Sequence, residues 1–329
     1  MKHLEVDGLG SVSRVGLGTW QFGSREWGYG EDYASGRARD IVARALELGI
    51  TLFDTAEVYG LGRSERILGE ALGESRWQVR VASKLMPVVP IAPVVRNRAR
   101  GSARRLGLAK IPLYQVHQPN PVVPDSVIMP GLRSLLEDGT IGAVGVSNYS
   151  LARWQQADAA LGRPVVSNQV QFSLAHAGPL DDLVPFARDH GRLVIAYSPL
   201  AQGLLGGRYG PQNKPGGVRA VNPLFSDENL RRVQPLLDLV REVADAHGST
   251  PAQTALAWLL SLPQVVVIPG ASSVEQVESN AAAADLGLTA DEQQALTAAA
   301  RAFHPESAAT TAVAAVRSRV ATLRSRTRN

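Results

Sequence analysis

The feature that most restricts this chain is a recurrence. Eight short runs rich in Val, Ile, Leu and Phe occupy residues 15–19, 50–54, 79–84, 113–117, 143–148, 165–171, 193–198 and 265–269, with starts 35, 29, 34, 30, 22, 28 and 72 residues apart. Most are continuously apolar rather than alternating, the pattern of parallel strands covered on both faces. Helical periodicity fills the intervals. Ser35 is placed to cap a helix carrying Ala38, Ile41, Val42, Ala45 and Leu46 on one face, which Gly49 ends. Ser150 and Gly162 bracket another, and Thr250-Pro251-Ala252-Gln253 and Ser273-Val274-Glu275-Gln276 read as capping boxes. In 125–138, Pro130 is expected to interrupt the helix unless it lies in the first turn. Eight strand–helix repeats at this spacing favour closure into a single α/β (β/α)8 TIM barrel over an open sheet. The longest interval holds an extra loop (204–225) and an extra helix (230–247) before the eighth strand. The barrel is assigned to residues 1–303, with a helical or frayed Arg-rich tail at 304–329.

Composition narrows the chemistry. Apolar residues make up 45% of the 329, enough for a large core, and there is no cysteine, which excludes thiolate ligands, disulfides and cysteine nucleophiles. The net charge of +4 is a property of the tail: residues 301–329 carry six arginines against Glu306, a sum of +5, which leaves the first 300 residues at 4 − 5 = −1. Nucleic-acid or membrane partners are therefore not expected, and the tail is read as solvated. With no apolar run of signal-peptide or membrane-span length, a cytoplasmic location is expected. The six histidines are scattered, so no metal is expected.

A barrel of this kind works at the C-terminal ends of its strands. There the second run ends in Asp54, the third in Lys84 and the fourth in His117; later runs end in Ser147-Asn148, Gln169, Tyr197-Ser198 and Gly270-Ala271-Ser272. Tyr59 follows Asp54 by five residues. A phenol ordinarily titrates near ~10, and an adjacent ammonium is expected to lower that value. Asp54 would hold Lys84 charged, His117 would bond the same substrate oxygen, and the set becomes a general acid aimed at a carbonyl. Each alone also has a plain structural reading: an ion pair, an aromatic lid, a hydrogen-bonded strand-end histidine.

The local motifs go further. Gly16-Leu17-Gly18-Thr19-Trp20, Phe53-Asp54-Thr55-Ala56-Glu57-Val58-Tyr59-Gly60, Ala82-Ser83-Lys84, Gln115-Val116-His117-Gln118-Pro119, Gly145-Val146-Ser147-Asn148-Tyr149, Tyr197-Ser198-Pro199-Leu200-Ala201-Gln202-Gly203 and Ile268-Pro269-Gly270-Ala271 resemble, in order and over residues 1 to about 303, the aldo-keto reductase family. The resemblance implies a catalytic tetrad of Asp54, Tyr59, Lys84 and His117. It also implies NADPH, with NADH possible, lying extended across the barrel mouth: Tyr197 stacked on the nicotinamide, Ser147, Asn148 and Gln169 on its carboxamide, and Ser198, Leu200, Gln202 and Gly203 along the pyrophosphate. Ser272, Gln276 and Asn280 would surround the adenosine. Gly270 and Gln276 stand where many members carry a Lys and an Arg for the 2′-phosphate. The expected substrate is a small-molecule aldehyde or ketone, with Trp20, Phe22, Val58 and Met86 as pocket walls. The other reading is a nucleotide-sensing regulatory subunit resembling potassium-channel β subunits. The oligomeric state is left open.

Overall fold

The structure, a computed structural model, describes residues 1–23, 36–210 and 212–306. The predicted Ser35 cap and all but the first residues of the Arg-rich tail lie outside the described residues. The chain opens with a feature the periodicity did not reveal: an antiparallel hairpin of β1 (His3–Val6) and β2 (Gly10–Ser13). Gly8 and Gly10 adopt left-handed φ of 80° and 77° in its turn, and the sequence signal for it is Asp7-Gly8.

Eight parallel strands follow: β3 (Leu17–Gly18), β4 (Leu52–Asp54), β5 (Arg80–Leu85), β6 (Ile111–Val116), β7 (Ile141–Ser147), β8 (Ser167–Gln171), β9 (Leu193–Tyr197) and β10 (Val265–Val267), hydrogen-bonded in that order. Parallel bridges from Val15 to Val267 and from Gly18 to Gly270 close the sheet into a barrel. Every predicted run overlaps its strand: β5, β6 and β7 extend one or two residues beyond their runs, and the other five lie within theirs. Around the barrel run α1 (Trp20–Gly23), α2 (Ala38–Glu47), α3 (Arg63–Leu72), α4 (Ala92–Leu106), α5 (Asp125–Glu137), α6 (Leu151–Leu161), α7 (Leu183–Asp189), α8 (Asp227–Arg232), α9 (Gln234–Ala246), α10 (Pro251–Ser261), α11 (Val274–Ala282) and α12 (Ala290–Ala302). No described helix is long and apolar enough to cross a membrane.

Three helical expectations change. Pro130 lies beyond the first turn yet α5 runs through it; the ring removes only the bond to the carbonyl of Ser126, an exposed residue that water can reach. The extra helix is two, α8 and α9, with Val233 between them and Pro235 in the first turn of α9. The Thr250–Gln253 capping box is reciprocal as expected, whereas the Gln276 side chain does not return to Ser273.

Two cores result. The larger lies between the strands and the helices. The smaller fills the barrel's N-terminal end, where Val6, Leu9 and Val12 of the hairpin meet Leu52, Leu113, Leu193, Ile195 and Val266. Above that plug, the two-residue period of each strand brings inward-facing positions from apolar to polar: Leu52 to Asp54, Ala82 to Lys84, Leu113 to Gln115, Ile195 to Tyr197.

Candidate active site

Lys84 is fully buried near the end of β5, and its Nζ has three partners. It donates to Asp54 Oδ2 at 2.6 Å, to the Thr55 carbonyl at 2.9 Å and to Tyr59 Oη at 3.2 Å. The Tyr59 and His117 rings meet edge to face with centroids 5.7 Å apart. The structure thus brings all four predicted side chains together. A further buried bond was not anticipated: Gln169 Nε2 donates to Asp54 Oδ1 at 2.7 Å. The carboxylate is shared, one oxygen to the ammonium and the other to the amide.

The electrostatics amend the sequence argument for Tyr59. Its phenol is pushed above its ordinary value, not below: burial raises it most, Lys84 pulls it down and Asp54 pushes it up. Burial opposes the Lys84 charge, but Asp54 and Tyr59 outweigh it and keep the ammonium above its usual range. His117 is pushed down to about 3, by burial first and by the Lys84 charge second. Its imidazole is therefore neutral at ordinary pH, and its buried Nδ1 has no partner among the described residues.

The loop bearing Tyr59 is held by residues that the sequence did not single out. Glu57 Oε1 accepts from the Met86 amide at 2.7 Å, and Arg98 of α4 reaches both carboxylate oxygens, at 2.8 and 3.0 Å. No local pattern pairs a loop acid with a helix arginine 41 residues on; only the fold does. Gly23 packs against the backbone of Tyr59 and Gly60, and a Cβ on Gly23 would stand 2.6 Å from the Tyr59 carbonyl oxygen. Below, Ser64 of α3 ties Thr19 and Thr55 together through hydroxyl bonds of 2.9 Å.

The residues expected to hold a dinucleotide lie on the opposite half of the mouth. Tyr197 is half-buried and donates its Oη to Asn148 Oδ1 at 2.9 Å. Asn148 is exposed in a left-handed conformation, φ 61°, and its Nδ2 donates to Ser147 Oγ at 3.1 Å. Ser147 is itself buried and bonded to the Gln169 carbonyl at 2.8 Å. Ser198, Ala201 and Gln202 are also left-handed without being glycine, and Gly203 follows at 95°. Such conformations cost energy and gather where backbone must be presented in an unusual direction. Leu200 is partly exposed in the same turn. Gly270 is open to solvent beside Gln21, whose Nε2 donates to the Ala271 carbonyl at 2.8 Å. Gln276 folds its Oε1 onto the Ser272 N–H and Oγ, at 2.8 and 3.0 Å. Asn280 is buried in α11.

Of the expected pocket walls, Trp20 is exposed with its ring centroid 6.4 Å from that of Tyr59, Val58 is exposed and Met86 is half-buried. Phe22 is a correction: it is 1% exposed and belongs to the core between α1 and the barrel, so it forms no surface of the mouth.

Comparison with known proteins agrees with this architecture. The Aldo/keto reductase family model matches residues 14–301. An uncharacterized oxidoreductase of Mycobacterium tuberculosis is 71% identical over 307 residues, covering 93% of this chain and 95% of the relative. Among solved structures, the glycerol dehydrogenase of Gluconobacter oxydans superposes with a TM-score of 0.84 at 29% identity, covering 93% of this chain and 98% of that one. An aldo-keto reductase from Klebsiella pneumoniae in complex with NADPH gives a TM-score of 0.74 at 29% identity over 93% and 96%. With a closed barrel that superposes on these enzymes and a family match over nearly its whole described length, the chain belongs to the aldo/keto reductase family of oxidoreductases.

Proposed function

We propose that this protein reduces an aldehyde or ketone to the alcohol with NADPH, using Tyr59 as the proton donor. The observation that carries the reading is the buried ammonium of Lys84 bonded at once to Asp54 and to the phenol, beside a histidine held neutral. The mouth residues suit a dinucleotide: an aromatic face at Tyr197, an exposed amide at Asn148, a left-handed backbone run at 201–203, and Ser272 with Gln276 at the start of α11. The Klebsiella relative with bound NADPH supports the same choice of cofactor. Bound, the reduced nicotinamide supplies the hydride.

The chain supplies the rest. Tyr59, protonated throughout the neutral range, donates its proton to the substrate oxygen as negative charge develops there. Lys84 stays charged and stabilises the phenolate left behind, while Asp54 holds the ammonium in place. His117, neutral, orients the carbonyl through an N–H without competing for the proton. Tyr59→Phe removes the donor and keeps the ring. NADPH titrated by fluorescence should bind the variant within a few-fold of the parent, while kcat for carbonyl reduction falls on the order of a hundredfold or more. Full turnover in the variant would refute the assignment. Titrating NADH alongside tests the preference, with tighter NADPH binding expected.

A further inference from the structure

The mouth is divided. The polar residues fitted to a dinucleotide follow β7 to β10, whereas the ends of β4, β5 and β6 carry apolar side chains that face water. Val58 and Leu61 follow β4, Val88, Val89 and Ile91 follow β5, and Val122 follows β6. Of the large apolar side chains exposed among the described residues, only Trp20, Trp77 and Val221 lie outside the segments that follow the C-terminal ends of β4 to β6. Scattered singly, such residues mean nothing; concentrated beside a catalytic group, they mark a surface that works by being apolar.

The rim is also built rather than loose. Pro87 and Pro90 stiffen the segment at 87–91, which presents Val88 and Val89 at 58% and 62% exposure. Val89 has φ 49°, a conformation that a β-branched residue enters only at a cost. Asn120 fastens this segment to the next loop: its Nδ2 donates to the Pro87 carbonyl at 2.8 Å, while its Oδ1 accepts from Val122 and Val123 at 2.8 and 2.7 Å. One side chain thus fastens the valine-bearing loop that follows Lys84 and Leu85 to the one that follows His117.

We propose that this rim receives the body of the substrate, and that the preferred carbonyl compound carries an extended or branched hydrocarbon group rather than a polyhydroxylated or anionic one. The proposal rests on the reductase reading above. It is tested by kcat/KM for straight-chain aldehydes from propanal to octanal with NADPH, beside glyceraldehyde and the pair benzaldehyde and 4-carboxybenzaldehyde. Burial of each added methylene predicts a rise of roughly two- to fourfold per carbon, with glyceraldehyde below propanal. Val88→Ser with Val89→Ser should flatten the slope, and Trp77→Ser, on the opposite face, should keep it. A flat or falling series in the parent protein, with propanal still reduced, overturns the proposal and leaves the reductase reading intact. Preference for 4-carboxybenzaldehyde also overturns it, placing recognition on a cation such as Arg63 at the start of α3. Failure to reduce any carbonyl although NADPH binds would sink both readings together.

Discussion

Asp54 Oδ1 is where two roles meet in one side chain. The family resemblance gives Gln169 to the nicotinamide carboxamide, yet its Nε2 is engaged by Asp54 at 2.7 Å in a fully enclosed setting. Its Oε1 and the second N–H of Nε2 are left for a ligand. Gln169 is then a positioning residue for the Asp54–Lys84 pair, since a buried carboxylate oxygen without a partner costs more than the average hydrogen bond. Gln169→Leu is expected to lower kcat about ten- to a hundredfold, from a lost charge-assisted bond, and to shift the alkaline limb of the pH–rate profile, because the Lys84 charge that acts on Tyr59 is no longer held. A rise in the NADPH Kd alone, with kcat and the profile unchanged, would reduce Gln169 to a cofactor contact. His117 gives a second test at this scale. Its folded pKa of about 3 lies below the unfolded value of ~6.5, so as pH falls from ~6.5 the unfolded chain takes up a proton that the folded chain refuses. Its contribution to stability is therefore present above that pH and is lost progressively toward pH 3. Urea midpoints at pH 7 and pH 5 should converge less in the parent than in His117→Gln; equal slopes would mean that His117 is solvated. The proposed tetrad was legible in sequence because Asp54, Lys84 and His117 sit at or beside strand ends, where polarity interrupts an apolar run, and Tyr59 follows the first of them by five residues. The Gln169–Asp54 bond was not, because it joins β8 to β4 across the barrel, 115 residues apart.

At the scale of elements, the strands were legible because both faces are covered, which leaves an uninterrupted apolar signature. Their ends were less so, because the barrel continues inward polarity past the last ladder bond: His117 and Asn148 lie just beyond β6 and β7 as assigned, yet their amides still bond to Leu85 and Gln169. The apolar pattern at 230–247 read as one helix because α8 and α9 bury the same face, Leu230 with Leu236, Leu237 and Val240; only the junction at Val233 separates them. The clamp on the Tyr59 loop was not legible at all. It depends on α1 pressing its terminal glycine onto the loop and on Arg98 reaching across from α4. Gly23→Ala puts a methyl carbon 2.6 Å from the Tyr59 carbonyl oxygen, backbone against backbone, so one of the two segments must move. A displacement of about 1 Å at a proton donor costs on the order of a hundredfold in rate. The expected outcome is a kcat lowered to that degree with NADPH affinity little changed, since the polar half of the mouth is untouched. An unaltered kcat would show that the loop yields at no cost to Tyr59.

The whole molecule separates what it does from what holds it together. The proposed catalytic groups occupy one end of the barrel, and the hairpin of β1 and β2 closes the other, with Leu9 at 5% and Val12 at 0% exposure among the apolar residues of the barrel's base. Conserving the chemistry requires only that the strands keep their register, whereas sealing the base removes apolar surface from water. The hairpin is faint in the sequence because its two strands are four residues each and one side faces solvent, so its signal is short and alternating, unlike the eight runs of the barrel. Leu9→Ala takes three buried carbons from that plug, in the turn where the backbone is fixed by the Leu9 N–H to the Val6 carbonyl at 3.0 Å. Partial collapse of the site sets the cost at about 2–5 kcal/mol, the range for such core truncations. The urea midpoint should fall accordingly, while kcat/KM at 25 °C stays within twofold, because the hairpin bonds the first residues of β4 and β5, through Ser13 Oγ and the Leu9 carbonyl that the substitution keeps, and joins neither of the ladders that fix Asp54 and Lys84. A fall in kcat/KM matching the fall in stability would show instead that the plug sets the inward layers above it, and that the two ends of this barrel are mechanically one.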